Sequence, residues 1–211
     1  MPKIEAFEKH VDAYEEWFVR NRFAYKSELQ AIRALLPEEG IGIEIGAGTG
    51  RFARPFGIKL GVEPAKKMRE IARKKGIEVI NGVAEALPFN NNKFDFALMV
   101  TTICFLDDIE ISFKEVFRVL KFKGLFVIGF VDSNSLLGLV YQKHKNQSCF
   151  YKEAKFYSTD EVASYLKKSG FRDLTFMQTI YRDLRGLKEI EPVNEGYGKG
   201  SFVVVRGVKI M

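Results

Sequence analysis

Segment 41–50 constrains the fold of this chain more than any other part of its sequence. It reads Ile-Gly-Ile-Glu-Ile and then Gly-Ala-Gly-Thr-Gly, so a short β-branched run stops at a cluster of three glycines. Glycine accepts positive φ angles and leaves no Cβ between the backbone and a ligand. The segment therefore predicts a buried strand followed by a sharp turn whose main chain can contact a bound molecule.

Short apolar runs alternate with helical patterns along most of the chain, which is typical of a parallel sheet covered on both faces. We therefore predict an α/β fold with a doubly wound, mostly parallel seven-stranded sheet. Helices cover both faces of this sheet, an N-terminal helical lid precedes it, and an antiparallel C-terminal strand completes it. Strands are predicted at 41–45, 58–62, 77–80, 94–100, 125–131, 174–180 and 202–208, and helices at 7–18, 23–36, 65–75, 109–120 and 161–168.

The composition is that of an ordinary globular domain, with 211 residues of which 46% are hydrophobic. The N-terminal residues lack the apolar core of a secretion signal, and the longest apolar stretch, 94–106, is shorter than the about 20 residues that cross a membrane. Cys104 and Cys149 lie far apart in sequence, which predicts a reduced, cytoplasmic protein without structural zinc. The net charge of +6 would suit a nucleic-acid partner, but the lysines alternate with acids, which favours a solvated surface.

The spacing of the three glycines separates two classes of cofactor. A dinucleotide-binding turn requires Gly or Ala three positions after Gly48, where this chain has Arg51. Its third glycine instead follows Gly48 after one residue, at Gly50, and an acidic residue, Glu44, lies within the strand. The spacing therefore disfavours a nicotinamide dehydrogenase, which stays a minor alternative.

Four segments in order resemble class I S-adenosylmethionine-dependent methyltransferases, in particular the small-molecule subgroup typified by ubiquinone and menaquinone biosynthesis methyltransferases. They are 44–52, 61–64, 82–89 and 118–124. The resemblance implies a Rossmann-like methyltransferase fold, S-adenosylmethionine as cofactor and S-adenosylhomocysteine as its product. It also implies that Glu63 binds the ribose, since one carboxylate can accept charge-assisted hydrogen bonds from both hydroxyls. The implied cofactor contacts are Glu44, Gly46, Ala47, Gly48, Thr49, Gly50, Glu63, Pro64, Ala84, Glu85, Thr101 and Tyr14.

The sequence departs from this family at two places. Val83 stands where relatives commonly carry an aspartate that accepts from the adenine amino group, so the Ala84 backbone or Glu85 would have to replace it. Thr101 lies in the stretch that contacts the sulfonium side in relatives, and the aromatic-histidine pair that usually follows is absent. Both departures leave a non-catalytic cofactor-binding module as an alternative.

Methyl transfer from a sulfonium is an in-line displacement that depends on alignment and exclusion of water, so no metal is predicted. Asp132 with Asn134 after the fifth strand is only a minor metal candidate, because such residues commonly form turns. The catalytic group stays unassigned, with two candidates. His144 lies in the irregular segment 132–155 and could act as a general base. Tyr14 lies on an aromatic helical stripe that packs on the core or covers the cofactor, where its ring would favour a cation.

We predict a single domain that transfers a methyl group to a small-molecule acceptor. It is divided into an N-terminal helical cap (1–38), a cofactor-binding core (39–131), a substrate-side insertion (132–157) and a C-terminal helix and strand pair (158–211). The basic balance keeps an RNA or protein methyltransferase as an alternative. No membrane partner is predicted, and the sequence carries no prediction of oligomeric state.

Overall fold

A computed structural model describes residues 3–210, and its elements follow the predicted alternation of strands and helices. No helix within this range is both long and apolar enough to cross a membrane. The helices are α1 (Glu5–Lys9), α2 (Val11–Arg20), α3 (Arg22–Arg33), α4 (Lys66–Lys74), α5 (Ile109–Val119), α6 (Leu136–Lys143) and α7 (Thr159–Lys168). The strands are β1 (Gly42–Ile45), β2 (Leu60–Val62), β3 (Glu78–Ile80), β4 (Phe94–Val100), β5 (Leu120–Val131), β6 (Phe171–Thr179), β7 (Asn194–Glu195) and β8 (Phe202–Lys209).

One sheet holds all of these strands in the order β3-β2-β1-β4-β5-β8-β6-β7. The first five in this order pair in parallel, and β8, β6 and β7 add in antiparallel pairs. The α/β doubly wound class and the antiparallel C-terminal part are therefore confirmed. The sheet has one strand more than the predicted seven, because the two-residue β7 pairs with the outer edge of β6.

Helices cover both faces of the sheet. Apolar residues of α5 and α7 pack with one face, and those of α3 and α4 pack with the other. The strand order reverses between β1 and β4, since β2 and β3 lie on one side of β1 and the later strands lie on the other. Ligands of open α/β sheets bind at such a switch point, beyond the carboxyl ends of the strands.

The N-terminal region forms three short helices instead of the two predicted. The backbone leaves the helical conformation at His10 (φ −121°, ψ 35°) and at Asn21 (φ −103°, ψ 39°). Phe7, Tyr14 and Phe18 nevertheless stay on one side and contact the domain, so the apolar period continues across the first break. The sequence shows only this apolar spacing, so it does not reveal that the helix is interrupted at His10.

The segment after β5 is also more regular than predicted. Residues 136–143 form α6, which Ser135 begins by accepting a hydrogen bond from the Gly138 N–H at 3.0 Å. Helix α7 begins with a capping box, in which the side chains of Ser158 and Glu161 accept from each other's backbone N–H groups. Strand β5 starts at Leu120, five residues before its predicted start, with an irregular register opposite residues 94–96 of β4.

Candidate cofactor and acceptor site

The glycine turn follows the carboxyl end of β1, at the switch point of the sheet. Gly46 and Gly48 have φ angles of +71° and +52°, the left-handed region that favours glycine. A Cβ on Gly46 would lie 2.4 Å from Cγ2 of Thr102, and one on Gly48 would lie 3.0 Å from the hydroxyl oxygen of Tyr14. The turn therefore lets Thr102 and Tyr14 approach its backbone closely because side chains are absent at both positions, and both glycines also border the cavity described below.

Glu63 follows β2 and points its carboxylate at this turn. One oxygen accepts from the Gly48 N–H at 2.9 Å, and the other accepts from the Ala65 N–H at 2.8 Å. The side chain is 8% exposed, and this burial raises the pKa of Glu63 above its ordinary value while the two N–H groups act in the opposite direction. The carboxylate is thus fixed in orientation and retains further acceptor capacity.

Four of the predicted contacts support the turn without lining the cavity described below. Glu44 is buried and accepts from the Ala53 N–H at 2.8 Å, and its burial raises the carboxyl pKa. The Cβ of Ala47 lies 2.6 Å from the position that a Cβ on Gly61 would occupy. Gly50 packs against Ile77, and the Thr49 hydroxyl donates to Glu15. These residues support the glycine turn on the side that faces away from the cavity.

The loop after β3 brings Ala84 and Glu85 to the same region. One oxygen of Glu85 accepts from the Asp107 N–H at 2.9 Å and from the Asp108 N–H at 3.2 Å. Glu85 therefore joins this loop to the segment after β4. Val83, the position at which the sequence departs from the family, lies beside Ala84 on the same cavity.

Thr101 directly follows β4 and has a conformation that is uncommon for a residue with a side chain. Its φ is +50°, and its N–H donates to the Gly129 carbonyl at 2.8 Å. Such strain costs about 1–3 kcal/mol and occurs frequently at functional sites. The positive φ turns the chain at the carboxyl edge of the sheet, where Thr101 and Thr102 line the cavity.

Carboxylates attach the N-terminal helices to the core. Glu15 on α2 accepts from Thr49 and Arg51 of the glycine turn, and from the Lys75 ammonium at 3.1 Å. Burial alone would raise the pKa of Glu15, but these donors hold it below its usual value. Glu8 on α1 accepts from the backbone N–H groups of Lys66 and Lys67 at the start of α4.

A cavity of about 410 Å³ lies between these helices and the sheet. Its first wall, the glycine-loop wall, comprises the predicted contacts Gly46, Gly48, Glu63, Pro64, Ala84, Glu85, Thr101 and Tyr14. Its second wall, the aromatic wall, comprises Phe105, Tyr141, Phe150 and Tyr151 together with Glu28. The Tyr141 and Tyr151 rings stack with their centroids 4.9 Å apart, and Phe105 stacks on Tyr151 at 6.1 Å.

The charges on the cavity differ from those of the whole chain. Although the chain carries a net charge of +6, the charged residues on the cavity are four acids and one lysine. The lysine is Lys3, whose ammonium donates to the Leu106 carbonyl at 3.4 Å. The acids are Glu28, Glu63, Glu85 and Asp107. The cavity therefore favours cationic ligands.

Sequence reasoning missed Glu28 on α3. Its side chain is 4% exposed, and burial raises the pKa of the carboxyl to about 8. The sequence contains a signal for it, because Glu28 lies four residues after Ala24 and four before Ile32, both of which are buried. An acid in the apolar stripe of an amphipathic helix indicates either a partner or a function.

The two catalytic candidates lie at different depths. The Tyr14 ring lies against Gly48, within a cluster of N-terminal aromatic rings, and burial raises the pKa of its hydroxyl. His144 lies on the cavity but is exposed, and its Nδ1 lies 3.2 Å from the Gln147 amide oxygen.

Among residues 3–210, no three His, Cys, Asp or Glu side chains are grouped so as to hold a metal. Asp132, the minor metal candidate, is instead buried and accepts from the Thr159 hydroxyl at 2.6 Å.

Comparison with known proteins identifies the class to which this fold and site belong. A methyltransferase-domain family model matches residues 43–128, which include β1 and the glycine turn. The crystal structure of an S-adenosylmethionine-dependent methyltransferase of Thermotoga maritima, described as a possible histamine N-methyltransferase, is similar over 98% of this chain and 99% of that chain. The two are 54% identical, with a TM-score of 0.96. The chain therefore belongs to the S-adenosylmethionine-dependent methyltransferases.

Two further relatives extend the comparison. An uncharacterized protein of Methanocaldococcus jannaschii is 43% identical over 207 residues, which span 98% of this chain and all of that protein. The chloroplastic 2-methyl-6-phytyl-1,4-hydroquinone methyltransferase 2 of Oryza sativa is 28% identical over 159 residues, or 69% of this chain and 43% of that protein. The predicted resemblance, the methyltransferase activity and the S-adenosylmethionine cofactor are thus confirmed.

Proposed function

We propose that the protein transfers the methyl group of S-adenosylmethionine to a small molecule bound in the cavity beside the aromatic wall. The observation that carries this proposal is the cavity itself, which lies beneath α1 and α2 and whose described lining contains one lysine, Lys3, and no arginine. A polynucleotide would bring phosphates to a surface lined mainly by carboxylates, which is unfavourable. A small acceptor fits both the enclosure and the charge.

The glycine-loop wall fits the cofactor by its own chemistry. Gly46 and Gly48 leave the backbone free of side chains, and Glu63 presents oriented acceptors for the ribose hydroxyls. Ala84 and Glu85 would border the adenine, while Thr101 and the Tyr14 ring would lie beside the methionine end. When bound, the cofactor supplies an electrophilic methyl group, and the task of this chain is to align the acceptor and exclude water.

The predicted domain division has a matching role in this proposal. Region 1–38 supplies the helices over the cavity and Glu28, and 39–131 supplies the glycine-loop wall. Region 132–157 supplies Tyr141, Phe150 and Tyr151 of the aromatic wall. The remaining part, 158–211, completes the sheet through β6, β7 and β8.

Incubation with S-adenosylmethionine labelled in its methyl group tests the proposal. The protein is mixed in turn with a low-molecular-mass metabolite extract, with total RNA and with a protein extract, and the label in each fraction is counted. We expect transfer to the metabolite fraction alone. Label on RNA or protein would contradict the small-molecule assignment, and cofactor binding without transfer to any fraction would favour a non-catalytic module.

A further inference from the structure

One buried carboxylate in the cavity differs from the other buried glutamates. Glu44 and Glu63 accept backbone hydrogen bonds, and Glu191 accepts from the Tyr181 N–H and lies 3.3 Å from the Arg182 guanidinium. Glu28 is as buried as Glu191, each being 4% exposed, yet no residue between 3 and 210 donates a hydrogen bond to it or forms an ion pair with it. Glu28 lines the cavity, so a ligand bound there can supply the partner that the protein does not.

The surroundings of Glu28 restrict the charge and shape of this ligand. Burial raises the pKa values of the Tyr141 and Tyr151 hydroxyls, and the charge of the nearby Glu28 raises them further. Their rings stack at 4.9 Å and extend through Phe105, giving a flat apolar surface. Aromatic faces attract cations as well as apolar groups. A ligand with a cationic nitrogen and an apolar body satisfies both features.

Anionic groups on the ligand are disfavoured at this wall. Lys3, the single lysine or arginine among the described cavity residues, donates to the Leu106 carbonyl at 3.4 Å. Two of the other acids of the cavity, Glu63 and Glu85, belong to the glycine-loop wall. The third, Asp107, lies in the segment whose backbone donates to Glu85. A carboxylate or phosphate on the acceptor would meet four acids and a single ammonium there, so like charge predominates.

We infer that Glu28 binds the methyl acceptor and that the acceptor is a small, apolar or aromatic amine whose nitrogen is protonated in solution. This inference rests on the proposed function, because it names the substrate class of the same cavity. The Thermotoga maritima relative, described as a possible histamine N-methyltransferase, supports the same class independently of Glu28.

The chemistry gives Glu28 two consecutive roles. Its carboxylate pairs with the ammonium group and then accepts one proton from it, which leaves a neutral amine with a free electron pair. That nitrogen forms a bond to the methyl carbon as the carbon–sulfur bond breaks and its electron pair stays on sulfur, so the product is an N-methylated ammonium. Because burial raises the pKa of Glu28 to about 8, the gap to an alkylammonium pKa of about 10.4 is smaller than for an ordinary carboxyl.

Calorimetry on the protein saturated with S-adenosylhomocysteine tests the inference without turnover. The probes are histamine, 2-phenylethylamine and 2-phenylethanol, the last being a neutral analogue of the second. We expect at least one amine to bind about tenfold or more tightly than the alcohol. Glu28→Gln should lose at least about tenfold in amine affinity, a difference of about 1.4 kcal/mol, and Glu28→Asp should retain part of it. Glu16→Gln, which removes an exposed acid of α2, should behave as wild type.

Two outcomes would overturn the inference: equal amine affinity in wild type and Glu28→Gln, or no binding by either amine. If Glu28→Gln no longer binds S-adenosylhomocysteine, Glu28→Asp and the amine-to-alcohol ratio of the wild type decide instead. Failure of the wild type to bind S-adenosylhomocysteine would contradict the proposed function and is therefore distinguishable from failure of the amine assignment.

Discussion

The two walls of the cavity are built in different ways. The glycine-loop wall is made mainly of the turns and loops that follow β1, β2, β3 and β4, with Tyr14 of α2 added. Its central carboxylate, Glu63, has both oxygens hydrogen-bonded to backbone N–H groups. The aromatic wall collects residues from α3, from the turn after β4 and from 141–151, and its carboxylate, Glu28, has no partner within the described chain. The first wall is thus fixed before a ligand binds, whereas the carboxyl of the second wall has no hydrogen-bond partner until a ligand binds.

Removing Glu63 should have the largest effect. Glu63→Ala deletes the acceptors proposed for two ribose hydroxyls, and hydrogen bonds to a charged group contribute about 1.5–3 kcal/mol each, so affinity for S-adenosylhomocysteine should fall about 100-fold or more. Isothermal titration calorimetry measures this loss. Glu70→Ala, at an exposed position on α4, is the control. Unchanged affinity in Glu63→Ala would mean that the first wall does not hold the ribose.

The carboxyl of Glu28, which has no partner in the described chain, should make the stability of the protein depend on pH. The pKa of Glu28 is about 8 in the folded protein and ordinary, 4.5, in the unfolded chain, so between these values the folded state holds a proton that unfolding releases. Stability from this group is therefore complete below pH 4.5 and is lost as the pH rises towards 8. The neighbouring Tyr25, with a pKa of about 12, titrates above this window.

Glu28→Gln should remove this loss of stability. We expect its melting temperature without ligand to exceed that of wild type by about 10 °C at pH 8 and to approach it near pH 5. Differential scanning calorimetry across this range measures the difference, with Glu16→Gln as the control. Parallel pH profiles for Glu28→Gln and wild type would show that Glu28 is balanced in the free protein, and the contrast between the walls would disappear.

A side chain on the glycine turn should affect the first wall alone. Gly48→Ala places a Cβ 3.0 Å from the Tyr14 hydroxyl at a φ of +52°, and we expect about tenfold weaker binding of S-adenosylhomocysteine. Gly57→Ala is a matched control, because Gly57 has a φ of +71° with no atom within 4 Å of its added Cβ. Both variants should lose stability, but a similar loss of affinity in both would contradict a specific contact at Gly48.

Weakening the attachment of α2 to the core should have the smallest effect of these changes. Glu15→Gln removes the ion pairs with Arg51 and Lys75, which are partly exposed and so contribute little. We expect a melting temperature about 1–2 °C lower at neutral pH. Since these donors hold the pKa of Glu15 below its usual value, this difference should shrink as the pH falls through that pKa. Hydrogen exchange of residues 11–20 in Glu15→Gln and Glu16→Gln locates the change; equal rates would contradict the attachment.

The contrast between the walls also explains how much the sequence could predict. Segment 46–50 is recognisable because a strand that ends in a glycine turn is a local pattern, and Glu63 is recognisable through the resemblance to a known family. The aromatic wall has no such pattern, since Glu28, Phe105 and Tyr141 meet only after the sheet has formed. Glu28 could have been noticed as an acid in an apolar stripe, but only the fold shows that the stripe borders a cavity.

In the fold, too, features encoded by local sequence patterns could be predicted, whereas features that depend on contacts distant in sequence could not. Alternating strands and helices predicted the sheet class, because each element reports its own burial through its period. The break at His10 was missed because apolar spacing continues across it, and β7 was missed because two residues carry no period. Its pairing depends on the register of β6, which no local pattern encodes.

The position of β8 has a consequence for the synthesis of the chain. Strand β8 separates β5 from β6 in the sheet although it follows both in sequence. Strand β6 therefore emerges from the ribosome before the strand that links it to the sheet, and its edge stays open until residues 202–209 have been made. We expect the parallel strands to form a nascent core first, and the final strand to close the sheet as a late, cooperative step.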